Sequence, residues 1–297
     1  MDAHDLDLLR ALSRAPRAPA DALGAEVGLS GNAVKARLAK LREDGALQGV
    51  VALPRPARLG LREGLLVFEG VHDAPEREDE LLRGLPEVPG VRFADVGPDA
   101  IHLHVLFASD ADWERIERAA ISFVGKPPTH RAQAPAQDAA PLSPADARVA
   151  DALLADARRP LNDIADAAHL STKTARRRLD AMLARGDLRL EPVLSPAEAK
   201  GLAVGLFVVE TSAPSFLPPD AVTLGEGGLV TLLLARPTPR ALHAEAKALR
   251  ATPGVSRVFP LVGTRRHAEG WLRDALARPA RGVPPEPIAP AAPRVRG

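Results

Sequence analysis

Two short basic runs carry the chemistry of a polyanion ligand. The first contains Asn32, Lys35, Arg37 and Lys40 and is opened by Ser30. The second is Ser171-Thr172-Lys173-Thr174 followed by Arg176-Arg177-Arg178. Lysine and arginine side chains neutralise phosphates, and the outward tips of a basic helix can reach base edges in the major groove. Such a helix must bury one face while presenting the other. At about 100° per residue, Val34, Leu38 and Leu41 share one face of the first run. Ala175, Leu179 and Met182 share one face of the second. Opposite the first core stripe lie Asn32, Ala36, Ala39 and Glu43, with Lys35, Arg37 and Lys40 on the flanks. In the second run Lys173 and Arg177 point outward, with Arg176 and Arg178 beside them. The second run is therefore the stronger candidate reader, because the first offers alanine at two outward sites. The competing reading is a solvated basic face, with Arg37 and Arg178 reaching back to carboxylates of their own domains.

The elements that would position these runs repeat along the chain. Apolar positions Leu8, Leu9 and Leu12 predict a helix over 5–15. Pro19 opens a second helix through Leu23 and Val27, and Gly28 stops it. Ser30 caps a third helix that runs to about Asp44, and Gly45 ends it. Leu47 to Leu53 read as the extended residues of a β wing. Asp5 matches Asp146 at an offset of 141 residues. The same offset carries Leu12 onto Leu153, Leu29-Ser30 onto Leu170-Ser171, and Arg37-Leu38 onto Arg178-Leu179. Further along, Gly45 falls on Gly186, and Gly64-Leu65 on Gly205-Leu206. Pro160, Ser171 and Gly186 punctuate the second copy as Pro19, Ser30 and Gly45 do the first. A period this long implies duplication of a whole domain pair rather than a solenoid. A basic helix that appears twice, each time after helix-helix-turn and before a wing, favours duplex DNA as the ligand.

Beyond each wing the pattern changes. Leu65-Leu66-Val67-Phe68 and Leu206-Phe207-Val208-Val209 are unbroken apolar runs, which fit strands covered on both faces. The first is followed by a predicted helix over 75–85 and a hairpin of Val91 to Asp95 and Ile101 to Phe107 around Gly97-Pro98-Asp99. A helix over 110–123 (Trp113, Ile116, Ala120) and a weak strand over 129–134 complete a β-α-β-β-α-β order, the ferredoxin-like motif. In the second copy the segment between Glu210 and Ala221 is too short and proline-rich for the first helix. The hairpin (Val222 to Ala235), the second helix (Pro239 to Ala251) and the last strand (Ser256 to Val262) remain. His267 to Ala277 predict a helix whose Trp271, Leu272 and Leu276 cover core.

The expected fold class is α+β: two winged helix-turn-helix domains alternating with two ferredoxin-like domains, the second lacking a helix. The expected bounds are 1–54 and 60–137 for the first pair, a 138–144 linker within an Ala/Pro-rich stretch, then 145–194 and 200–277. The proline-rich 278–297 is expected to be a disordered tail.

Composition narrows the function. At 297 residues with 46% hydrophobic content the chain can build several cores. A net charge of +1 means attraction to an anion must come from local patches. The absence of cysteine excludes disulfides and thiolate metal sites, and 3% aromatic content without tyrosine argues against base-stacking platforms. No signal-peptide pattern or membrane-spanning apolar run is present, so a cytoplasmic protein without a membrane role is expected. No phosphate loop, zinc-binding His-Glu-x-x-His or nucleophile elbow occurs. No catalytic residue and no cofactor are assigned. His102 and His104 lie at i and i+2 on one strand face. They read as packed polar residues or ligand contacts sooner than metal ligands, since the second copy has no matching pair. Glu69 and Glu210 end equivalent strands, where a structural or interface role is expected.

The ordered combination resembles the Lrp/AsnC (feast/famine) transcription regulators. The residues that carry it are Val27-Gly28-Leu29-Ser30, Val34-x-x-Arg37-Leu38-x-x-Leu41 and Gly45-Ala46-Leu47. A partial echo follows in His169-Leu170-Ser171, Arg178-Leu179, Met182 and Gly186-Asp187-Leu188, and Leu59-Gly60 fits the family's linker. The resemblance implies a non-enzymatic regulator of duplex DNA, whose ferredoxin-like sheets pack in pairs and whose effector is an amino acid sensed near that interface. This chain departs from the pattern as a tandem fusion with a trimmed second sensor domain. The fusion implies an intramolecular pseudo-dimer, the linker supplying effective concentrations of ~mM, with further homo-oligomer assembly open. The alternative is a tetrapyrrole enzyme: siroheme decarboxylases look like paired or fused chains of this type, and His72, His102 and His104 would serve such a site. That family's histidine-and-aromatic hairpin segment is not found here. A third reading makes the first copy a protein-binding head, as its alanine-rich outer face permits.

Overall fold

The computed structural model describes residues 1–71, 75–97, 99–199, 201, 203–212, 222–224, 229–236, 238–268 and 270–281. It opens with three helices, α1 (Ala3–Arg14), α2 (Ala20–Val27) and α3 (Gly31–Glu43). Asp2 caps α1 reciprocally with Asp5, while Gly28 closes α2 at φ 71°, a left-handed conformation that glycine adopts without penalty. Val34, Leu38 and Leu41 of α3 are buried, on the face the periodicity selects. β1 (Leu47–Pro54) follows, then β2 (Arg62–Glu69), α4 (Pro75–Gly84), β3 (Val91–Val96), β4 (Ala100–Phe107), α5 (Asp110–Val124) and β5 (His130–Gln133).

The second triplet is α6 (Pro144–Asp151), α7 (Leu161–Ala167) and α8 (Thr172–Ala184). After it come β6 (Leu188–Leu194), β7 (Ala203–Thr211), β8 (Val222–Leu224), β9 (Leu229–Arg236), α9 (Pro239–Arg250), β10 (Val255–Leu261), β11 (Thr264–His267) and α10 (Gly270–Ala280). The helix that the second copy was expected to lack falls at residues 213–221, outside the described residues. So do His72, Pro98 of the first hairpin turn and the turn at 225–228.

The chain divides into two compact units, and neither coincides with one copy of the repeat. The first holds Met1–Val51, Asp156–Arg158 and Leu190–Arg265. The second holds Ala52–Ala155, Arg159–Arg189 and the described residues from Arg266 onward. Each unit thus takes its helix triplet mainly from one copy and its sheet from the other.

The segments expected as wings are extended, but they pair across the repeat. β1 and β6 pair with each other in a two-stranded sheet, so neither forms a hairpin within its own copy. The reason is physical: the backbone groups of a mostly buried strand need partners, and the equivalent strand of the other copy supplies them. A second crossing lies in the first unit. Arg17 donates to the Ala157 carbonyl, while Arg158 donates to the carbonyls of Pro16 (2.5 Å) and Ala18 (2.9 Å). Arg17 and Arg158 are related by the 141-residue offset, as are Pro16 and Ala157, so this contact is reciprocal in the manner of a two-fold interface.

The five-stranded sheet, which lies in the second unit but for the start of β11, has the order β11-β3-β4-β2-β5, and β3-β4-β2-β5 have the ferredoxin-like arrangement. Leu66 and Phe68 of β2 pack with Phe107, Trp113 and Ile116 in the core beneath the helices. Leu65 and Val67, on the opposite face, are also fully buried, as the unbroken apolar run requires. Gly64 is needed because a Cβ there would collide with the Trp113 ring. The first unit's sheet runs β10-β7-β9-β8, with Phe207 and Val209 packed on Leu242 and Leu249 while Leu206 and Val208 are buried on the other face.

The helix expected over 267–277 is present as α10 from Gly270, and the strand β11 precedes it on the edge of β3, with the Ala268 N–H donating to the Arg92 carbonyl at 2.9 Å. α10 then places Trp271 so that its indole donates to the Val91 carbonyl, and buries Leu272 and Leu276. α10 also meets α6 through Arg273–Asp151 at 3.0 Å and Arg148 to the Ala280 carbonyl at 3.3 Å.

Candidate nucleic-acid interface

Helix α8 is held from its start. The Ser171 hydroxyl accepts from the Thr174 N–H at 3.2 Å, satisfying one of the donors a helix N-terminus leaves open. Thr172 donates to the Asn162 side chain of α7 at 3.1 Å, which fixes the angle between the two helices. The turn between them passes through His169 at φ 53°, where the first copy has Gly28. With Ala175, Leu179 and Met182 buried, Lys173, Arg176 and Arg177 stand exposed on the opposite side. Lys173, Thr174, Arg176 and Arg177 line a shallow open depression together with Asp180. Asp180 is absent from the outward residues that the sequence pattern selects. The signal was available, since it follows Lys173 by seven residues and lies about 20° from it on the helix wheel.

α3 has the same scaffold with a blander face. Ser30 accepts from the Ala33 N–H at 3.2 Å, and Asn32, Lys35 and Lys40 are exposed. Ala36 and Ala39 occupy the positions that Arg177 and Asp180 hold in α8.

Two of the candidate cations turn inward. Arg37 donates to Asp5 at 2.8 Å and to Asp2 at 2.9 Å. Arg178 donates to Asp146 at 3.1 Å and to Ser143 at 3.2 Å. The carboxylates of Asp5 and then Asp2 raise the Arg37 pKa further above its ordinary value, and Asp2 in turn is lowered, first by the Asp5 backbone N–H. These arginines brace the third helix of each triplet against the first. The candidate cations left exposed are therefore Lys173, Arg176 and Arg177 on α8, and Lys35 and Lys40 on α3, with Asn32 beside them.

The histidine pair sits elsewhere in the second unit. His102 lies beside Val67 and Asp95 in register, and His104 beside Leu65 and Phe93. His102 is 1% exposed and Asp95 wholly buried, and His104 Nε2 lies 3.3 Å from Asp95. Phe93 packs edge-on to His104, with ring centroids 6.1 Å apart. Among the described residues, no group of three or more His, Asp or Glu side chains forms a metal-holding arrangement. No helix among them is long and apolar enough to cross a membrane.

Residues 1–42 match the AsnC-type helix-turn-helix domain. The chain is 30% identical over 114 residues to the HTH-type transcriptional regulator LrpA of Pyrococcus horikoshii, a match that covers 38% of this chain and 79% of the relative. Among solved structures it is similar to the siroheme decarboxylase NirDL, with a TM-score of 0.45 and 13% identity over 94% of this chain and 99% of that one. It is also similar to the leucine response regulatory protein of Mycobacterium tuberculosis, with a TM-score of 0.34 and 22% identity over 45% of this chain and 92% of that one. With an AsnC-type domain at its start and most of the LrpA sequence matched, the chain belongs to the Lrp/AsnC family of helix-turn-helix regulators.

Proposed function

We propose that this protein is a sequence-specific, double-stranded-DNA-binding transcription regulator in which α8 is the principal reading helix. The observation that carries this is the exposed cationic face of Lys173, Arg176 and Arg177 on a capped helix whose other face is core. Family membership supports DNA as the ligand, an amino-acid effector and a non-enzymatic role. The pairing of β1 with β6 and the reciprocal Arg17 and Arg158 contacts support an intramolecular pseudo-dimer.

Titration of the full chain with duplex DNA at several salt concentrations tests the reading. Binding should weaken steeply with salt, and Lys173→Ala with Arg177→Ala should lower the slope of log K against log salt by about two. An unchanged affinity and slope would remove α8 from the interface. The tetrapyrrole reading has weaker support, because His102 is 1% exposed and the His104 side chain, beside Asp95, only 16%. Visible-absorbance titration with a tetrapyrrole separates the two, a saturable spectral shift favouring the enzyme.

A further inference from the structure

Asp180 is an acid in the middle of a basic face. It lies in the interior of α8, exposed to solvent, and shares its depression with Lys173, Arg176 and Arg177. Among the described residues, none of these four side chains is engaged in a hydrogen bond or ion pair. Two general effects act against an aspartate at this position. It is a poorer helix former than the alanine found at the equivalent Ala39. Its charge also opposes the approach of a polyanion, which the surrounding cations favour. With no partner among the described residues, neither cost is offset by a structural contact there.

We infer that Asp180 is a specificity-determining residue of the α8 face, accepting a hydrogen bond from the exocyclic amino group of a cytosine in the major groove. The inference rests on the DNA-reading role proposed for α8. An ionised carboxylate is acceptor-only, so it can pair only with groove donors. The major groove offers two, the N4 amino group of cytosine and the N6 amino group of adenine. In adenine the N7 acceptor stands next to the amino group and repels a carboxylate, whereas cytosine presents no acceptor beside N4. Guanine and thymine present acceptors, which Asp180 rejects; exclusion of wrong sites is as much a part of specificity as attraction to right ones. Arg177 and Lys173, beside it, have the donors that suit guanine O6 and N7. The α8 half-site therefore contains a cytosine close to a guanine.

Selection of bound duplexes from a random pool, using the full chain, tests this. The protein should select a motif with one cytosine that depends on Asp180. Asp180→Ala should lose roughly tenfold discrimination at that position and bind non-specific duplex more tightly. Asp180→Asn should move the preference towards adenine, because a carboxamide pairs with both N6 and N7. A motif unchanged in both variants, or changed only at another base, overturns the inference while leaving the DNA-reading role intact. A loss of thermal stability with the motif unchanged also overturns it, making Asp180 an intrahelical partner of Arg176 or Arg177. Failure of the unaltered protein to select any motif overturns the DNA-reading role itself, and this inference with it.

Discussion

Arg178 reaches back across its own domain to Asp146 at 3.1 Å, and the contact repeats that of Arg37 with Asp5 at 2.8 Å. In both triplets the arginine leaves α3 or α8 on the flank of the reading face and ends on a carboxylate at the start of the first helix. The aspartates are mostly buried, their side chains 12% exposed, so the pairs are more than surface decoration. Arg178→Ala should cost the second triplet about 1–2 kcal/mol, as expected for hydrogen bonds to a charged group. Denaturant unfolding measures that loss. The salt slope of DNA binding should stay where it is; a fall of about one would mean that Arg178 meets a phosphate.

His169 adopts φ 53° at the position where the first copy has glycine. A left-handed residue with a Cβ costs roughly 1–2 kcal/mol, partly offset by the looser unfolded chain of a glycine. His169→Gly should therefore stabilise by about 0.5–1 kcal/mol and raise the melting temperature. Gly28→Ala should do the opposite by strain alone, because nothing lies within 4 Å of the Cβ it would add. Equal melting temperatures for both variants and the parent would show that the turn relaxes freely.

Asp187 has no counterpart in the first copy, where Ala46 stands. Its side chain is 2% exposed and accepts from Arg58 at 2.5 Å and Arg185 at 2.7 Å. Burial alone raises its pKa, but Arg185 and Arg58 outweigh burial and hold it below the usual aspartate value. A depressed carboxylate contributes its stability fully above its unfolded pKa and loses it as pH falls through the folded value. Asp187→Asn should cost about 1–3 kcal/mol at pH 7 and flatten the acid limb of the stability profile. An acid limb as steep as the parent's would assign the pH dependence to other carboxylates.

Leu276 is fully buried in α10, near the contacts of that helix with α6. Leu276→Ala should destabilise the second unit by about 2–5 kcal/mol. Hydrogen exchange of α6 amides should quicken with it, since α10 covers that helix. Unchanged exchange would show that α6 is held without α10.

The helix triplets were legible because their signals are local: proline, serine and glycine mark the ends, and Val34, Leu38 and Leu41 recur at helical spacing. The first sheet was legible for the same reason, down to Trp113 and Ile116 on the face of α5 that meets the core. What escaped was set by distant partners. Nothing in Leu47 to Leu53 names Leu188–Leu194 as the strand it joins, and an isolated extended segment looks like a wing. Thr264–His267 is short and polar, and becomes a strand only because the edge of β3 is open to it. Arg37 and Arg178 had two readings on the helix wheel, and only the aspartates of the first helices decide between them.

The crossing of copies bears on how the molecule would behave if its backbone were cut. Each unit draws on chain from both sides of the stretch between β5 and α6, so a protease nick there would not release two independent halves. The two fragments would remain interlocked and recombine as complementing pieces after denaturation. Neither fragment alone contains a full unit.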